Sequence, residues 1–230
     1  MQIHGFNKTT LLDYPGIVAS TIFTGNCNFR CRFCQNADLV LDPSSQPIIS
    51  EQEVLDHLVK RKGIVKGVCI TGGEPTLQPD LAEFIGRIKD IGLLVKLDTN
   101  GYRPDVTKSL IDAGLIDYVA MDIKSSPDGY SAICGIDIDM SKIVKSIDLL
   151  IGGNTEYEFR TTVIKEYHNA ETFSEIGKLI EGAEKYFLQG YIDSDRVIAK
   201  GLSGYERKEL ESFAEIVSEY VKKVNIRGVD

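Results

Sequence analysis

Apolar, β-branched runs recur at residues 17–24, 68–71, 94–98, 118–123, 157–163 and 186–192, with room for a helix between successive runs. The helices show as stripes at helical spacing: Val54, Leu55, Leu58 and Val59; Leu81, Phe84, Ile85 and Ile88; Val106, Leu110 and Ile111; Ile143, Val144, Ile147 and Ile151. Two more follow, Phe173, Ile176, Leu179 and Ile180, then Leu210, Phe213, Ile216, Val217 and Tyr220. Ser50 with Glu53 and Ser203 with Glu206 have capping-box spacing, and Gly92 and Gly114 stand where left-handed helix ends favour glycine. Six strands alternating with six helices predict an α/β fold of parallel strands. Right-handed crossovers would curl it into a single-domain partial (β/α)6 TIM-like barrel over residues 1–230. In such a fold the loops after the strand C-termini build the active site, so residues just past each strand become the candidates. Residues 42–48, rich in Pro and Ser, read as a surface loop.

Composition narrows the class. A chain of 230 residues, 43% hydrophobic and 26% charged, is ordinary for a globular protein. No stretch approaches the roughly 20 apolar residues of a membrane helix. Met1 to Phe6 has neither the basic start nor the apolar middle of a secretory signal, which predicts a cytoplasmic protein with no membrane partner. A net charge of −8 without a long Lys/Arg run argues against nucleic acid as a partner. Three of the five cysteines fall within eight residues, a metal or redox pattern rather than a disulfide framework.

Cys27, Cys31 and Cys34 follow the first predicted strand in C-x3-C-x2-C spacing, which lets three thiolates reach three irons of a cubane and leaves the fourth iron without a sequence-local ligand. The competing readings are a Cys3His zinc site using His4, His57 or His168, or three reduced thiols in a loop. Gly72-Gly73-Glu74-Pro75 follows the second strand, where glycines permit close backbone approach to a ligand. Asp98-Thr99-Asn100-Gly101 ends the third strand and Met121-Asp122-Ile123-Lys124 the fourth. By themselves the first two segments could be turns, and Asp122 with Lys124 a local ion pair. Cys69, inside an apolar strand, and Cys134, far from the triplet in sequence, read as structural. Lys222, Lys223 and Arg227 read as cations at the end of the last helix.

The cysteine spacing, with aromatic Phe33 before the last cysteine, resembles the radical S-adenosylmethionine (SAM) superfamily, and Gly72-Gly73-Glu74-Pro75 looks like its GGEP motif. The resemblance implies a 4Fe–4S cluster on Cys27, Cys31 and Cys34 as the catalytic centre, with SAM chelating the open iron. It further implies Phe33 near the adenine and Gly72, Gly73, Glu74 and Pro75 at the amino end of the cofactor. Reductive cleavage of SAM there releases a 5′-deoxyadenosyl radical that abstracts hydrogen from an unactivated carbon.

The Asp-Thr-Asn-Gly and Met-Asp-Ile-Lys segments, with Gly5-Phe6 and Asp13-Tyr14-Pro15-Gly16, resemble a narrower group, the glycyl-radical-enzyme activating enzymes. The likeness covers essentially the whole chain and is nearest the anaerobic ribonucleoside-triphosphate reductase and pyruvate formate-lyase activating branches. It implies a monovalent cation, Na+ or K+, enclosed by Asp98, Thr99, Asp122 and the carbonyl of Ala120. It also implies Lys124, Arg160 and Thr99 at the cofactor, Asp13 toward the substrate, a glycyl radical enzyme as protein substrate, and flavodoxin or ferredoxin as electron donor. Cys34-Gln35-Asn36 departs from the branch's Cys-His-Asn, and Tyr186–Tyr191 lacks the histidine that pyruvate formate-lyase activases carry on the sixth strand. The alternatives are a small-molecule radical SAM enzyme of carboxydeazaguanine synthase type and a non-catalytic zinc or cluster module.

Overall fold

A computed structural model describes residues 1–229. The strands are β1 (Ile3–Thr10), β2 (Ala19–Thr24), β3 (Gly67–Gly72), β4 (Leu94–Thr99), β5 (Tyr118–Asp122), β6 (Glu156–Val163), β7 (Tyr186–Gly190) and β8 (Val224–Arg227). The helices are α1 (Ala37–Leu41), α2 (Glu51–Arg61), α3 (Leu81–Ile91), α4 (Pro104–Asp112), α5 (Tyr130–Cys134), α6 (Met140–Ile151), α7 (Ala170–Leu179) and α8 (Arg207–Val217). The sheet runs in the open order β1 to β8. β2 pairs parallel with β3 and β3 with β4, as β6 does with β7 and β7 with β8. The six expected strands are β2 to β7 and the six expected helices α2, α3, α4, α6, α7 and α8, so the (β/α)6 series is observed.

Two strands lie outside the expected six. β1 pairs antiparallel with β2, in a sequence, Ile-His-Gly-Phe-Asn-Lys-Thr-Thr, with no apolar run to mark it. β8 is four residues long, too short to show a period. Arg227 therefore lies on a strand, with its guanidinium 2.8 Å from Glu158, rather than at the end of the last helix. The last helix also starts later than the Ser203 signal: Glu206 is its N-cap and Glu209 completes the capping box. Ser50 does cap α2, accepting from the Glu53 N–H, and Gly92 closes α3 in the left-handed conformation.

Contacts divide the chain into two compact units. The first comprises Met1–Asn28, Asn36–Thr99 and Arg103–Ala120; the second comprises Phe29–Gln35, Asn100–Tyr102 and Met121–Asp230. In the first, α2 and α3 bury Val54, Leu55, Leu58, Leu81, Phe84, Ile85 and Ile88, and β3 and β4 bury Val68, Ile70, Val95 and Leu97. Asp117 closes this unit at the start of β5, accepting from the Val95 N–H and from Lys89. In the second, Phe159, Phe173, Tyr186, Leu210 and Phe213 form the interior of β6, β7, α7 and α8, with the Phe173 and Phe213 rings stacked at 4.7 Å. No helix among the described residues is long and apolar enough to cross a membrane.

Candidate active site

The first unit carries Cys27 and the glycine-rich turn. After β2 the chain turns at Asn26, whose φ of 67° is left-handed, a conformation that asparagine tolerates better than most residues. This turn is held on three sides. The Asn26 N–H donates to the Leu39 carbonyl, its side-chain amide donates to Gln2, and Gln78 donates to the Gly25 carbonyl. The Gly72–Pro75 turn lies directly against it: the Gly73 N–H donates to Thr24 and the Glu74 N–H donates to Asn26 at 2.7 Å. A Cβ on Gly73 would stand 1.9 Å from the Asn26 carbonyl oxygen, and one on Gly72, at φ +115°, 2.3 Å from the Thr24 nitrogen. Both glycines are thus required by backbone contact with the segment leading into Cys27.

Glu74 is buried and its Oε1 accepts from the Thr76 N–H, the Thr76 hydroxyl and the Thr99 hydroxyl at 3.1, 2.6 and 2.9 Å. The ends of β3 and β4 are therefore joined through one carboxylate oxygen. Two residues before Thr99's neighbour Asp98 stands Lys96, 2% exposed, whose ammonium pairs with Asp98 and lies 3.8 Å from the Cys69 sulfur. Asp13, beyond β1, accepts from the buried Thr21 hydroxyl, and Leu11 and Leu12 beside it are exposed.

The second unit carries Cys31, Phe33 and Cys34. The Arg30 and Arg32 N–H groups donate to the carbonyls of Cys134 and Ile133 at the end of α5, and the Arg32 carbonyl accepts from Ala199. Cys31 is buried, and a hydrogen bond from Cys134, aided by the nearby Lys124 ammonium, holds its thiol below the usual range. Cys134 is therefore a direct neighbour of a predicted cluster ligand and not remote from the triplet; α5 folds back onto the cysteine loop. None of the five cysteines is in a disulfide.

Asp122 stands at the end of β5 with Lys124 at 2.7 Å and the Arg160 guanidinium on its other oxygen. Burial alone would raise its pKa, but the two cations outweigh that and hold it well below the usual carboxylate range. Burial would likewise lower Lys124, yet Asp122 and the Cys31 thiolate push it above its ordinary value. The Lys124 ammonium lies 5.3 Å from the centroid of the buried Phe33 ring. His168 anchors this group: its Nδ1 accepts from the Ile164 N–H at 3.0 Å, and its Nε2–H donates to the Lys124 carbonyl at 2.9 Å. Both ring nitrogens are thereby committed to the backbone, so His168 is no zinc ligand here.

Sequence reasoning missed Asn26, Gln78, Lys96 and the role of Cys134. The first two carry signals too common to single out, whereas a lysine two residues before Asp98 inside an otherwise apolar strand was legible as an anomaly.

Residues 21–180 match the profile of the Radical SAM superfamily. A Methanocaldococcus jannaschii protein provisionally named a glycyl-radical enzyme activating enzyme is 32% identical over 236 residues, covering 99% of this chain and 96% of that protein. The chain belongs to the radical SAM superfamily. A Thermococcus kodakarensis protein provisionally named GTP 3′,8-cyclase is 32% identical over 164 residues, 70% of this chain and 51% of that protein. The solved structure of Streptococcus suis SuiB bound to its precursor peptide SuiA matches 90% of this chain and 48% of that one, with a TM-score of 0.72 at 15% identity, a likeness of fold.

The family implies a 4Fe–4S cluster and SAM, and the residues fit both. Three cysteines outside any disulfide stand on the loop after β2, Cys31 with a lowered pKa, and within the first unit the Gly72–Gly73 turn has no room for side chains. The monovalent cation is different. Asp98 already pairs with the Lys96 ammonium, and Asp122 with Lys124 and Arg160, each inside its own unit. The residues as they stand do not fit that ion.

Proposed function

We propose that this chain is a glycyl-radical-enzyme activating enzyme. The observation that carries the reading is the relative of that provisional name, which matches along nearly its whole length and nearly the whole of this chain. When bound, the cluster and SAM supply one-electron cleavage of the sulfonium and a 5′-deoxyadenosyl radical that takes a glycine Cα hydrogen.

The chain's own residues have separable tasks in this reading. Cys27, Cys31 and Cys34 would hold the cluster, with the Cys134 thiol hydrogen-bonded to that of Cys31. Gly72 and Gly73 let backbone approach the amino end of SAM, with Glu74 and Pro75 fixing the turn. Lys124 and Arg160, oriented by Asp122, face the cofactor carboxylate, and Thr99 is fixed by Glu74. Phe33, beneath Lys124, takes the adenine. Asp13, with Leu11 and Leu12 exposed beside it, contacts the protein substrate; an acidic residue flanked by apolar side chains suits a peptide whose backbone and side chains both dock. A flavodoxin or ferredoxin delivers the electron, in the cytoplasm.

The partial match to the cyclase favours a second reading, a small-molecule radical SAM enzyme. One experiment separates them. The reconstituted chain is incubated anaerobically with SAM, a reductant and, in parallel, an anaerobic ribonucleotide reductase subunit, pyruvate formate-lyase or GTP. A glycyl radical signal by electron paramagnetic resonance on either protein supports the activase; consumption of GTP without such a signal selects the second reading.

A further inference from the structure

Lysine is almost never fully buried without a partner, because removing an ammonium from water is costly. Lys96 is 2% exposed in the middle of β4, on the opposite side of the strand from Val95 and Leu97. Its register partner on β3 is Cys69, whose sulfur lies 3.8 Å from the ammonium, and the partner of Cys69 on β2 is Thr21. The charge itself is answered one step along the same face by Asp98, two residues on. Just beyond Asp98, the Thr99 hydroxyl is committed to Glu74.

Asp98 and Thr99 are the residues that the family resemblance gives to a monovalent cation. A small cation at Asp98 would stand beside a fixed ammonium already bound to the same carboxylate, and like charges in a site of low polarity repel strongly. Asp122, the other carboxylate of that proposed cage, is paired within its own unit with Lys124 and Arg160. The positive charge that the cage would import is already present on the chain.

We propose that Lys96 replaces the monovalent cation: it is a positioning residue that carries the charge covalently, so SAM binding and cleavage need neither Na+ nor K+. The inference rests on the cofactor-site reading above and not on the identity of the protein partner. Lys96 holds Asp98, and with it the end of β4, in place. It does so without dissociating.

The test compares SAM affinity and reductive SAM cleavage of the anaerobically reconstituted chain in Na+, K+ or tetramethylammonium salts of equal ionic strength. Wild-type values should agree within about twofold across the three, since screening is held constant. Lys96→Met removes the ammonium from Asp98 and opens space beside it. In tetramethylammonium it should lose roughly tenfold or more in SAM affinity, the scale of a lost supporting contact, and recover in Na+ or K+. Lys96→Arg should stay independent of the ion. Sodium-23 line broadening on the chain without cluster or SAM reads the same point without turnover: none for wild type, saturable broadening for Lys96→Met. Should Lys96→Met fail to fold, Lys96→Met with Asp98→Asn removes both charges and replaces it as the sodium control, with no broadening expected. Saturable broadening by the wild type, or its activation by Na+ or K+ of about tenfold or more, would overturn the proposal. So would a folded Lys96→Met chain as indifferent to cations as the wild type. Loss of SAM cleavage by the wild type in every salt would count against the cofactor-site reading, and the sodium measurement would still decide the role of Lys96.

Discussion

His168 joins Ile164 and Lys124, both in the second unit, through one imidazole. Its Nδ1 accepts from Ile164, so the proton sits on Nε2 and is donated to the Lys124 carbonyl; a second proton would put a donor against a donor. Burial also lowers its pKa from 6.5. The unfolded chain therefore binds a proton that the folded chain refuses, and stability falls as pH drops below 6.5 toward the lower folded value. Asp122 acts in a separate window, contributing above its ordinary value of 3.8 and losing that contribution only at lower pH. The urea midpoint should thus decline between about pH 7 and about pH 5.5, and His168→Gln should flatten that decline. A slope unchanged by the substitution would remove His168 as its source.

Cys134 gives a second prediction at this scale. A donor to a cluster sulfur raises the reduction potential by stabilising the more negative state, so Cys134→Ala should lower the midpoint on the order of tens of millivolts. Redox titration followed by electron paramagnetic resonance measures it, and an unchanged midpoint would show that the hydrogen bond has no electronic role. This contact was not legible in the sequence. About a hundred residues separate Cys134 from Cys31, and only the fold of α5 onto the cysteine loop brings them together. Cys27, Cys31 and Cys34, by contrast, declare themselves by spacing, because three ligands on one short loop are local in sequence.

At the level of elements, the strands that could be read were those buried on both faces. β3 and β5 are almost wholly apolar, and continuous runs of that kind are marked in any sequence. β1 lies at the end of the sheet order with polar residues at alternate and adjacent positions, so its pairing with β2 is set by tertiary contact and not by pattern. Helix starts were legible where a cap is short-range. α7 shows a stronger device than its apolar stripe suggested: Asn169 accepts from the Thr172 N–H while the Thr172 hydroxyl accepts from the Asn169 N–H. Asn169→Ala removes half of this reciprocal pair and should cost about 1 kcal/mol. Equilibrium denaturant unfolding would show it as a lower midpoint with an unchanged slope; a cost near zero would mean that the packing of Phe173 and Ile176 alone fixes the start of α7.

For the whole molecule, superfamily membership and the (β/α)6 series were both legible, because the chemistry demands motifs at successive strand ends and the fold supplies those ends in sequence order. The partner was not legible. Recognition of a protein substrate depends on exposed residues such as Leu11 and Leu12, whose identities the fold leaves unconstrained. Nor does the fold decide it, since SuiB, bound to a peptide, shares this architecture at 15% identity.

The central claim is that the hydrogen removed belongs to a glycine of another protein. It is tested most directly by supplying the ribonucleotide reductase subunit or pyruvate formate-lyase with its glycines deuterated at Cα. Turnover with SAM and a reductant should place deuterium in the 5′-deoxyadenosine as the glycyl radical signal grows in proportion. Unlabelled 5′-deoxyadenosine from both proteins, with no protein radical, would contradict the account.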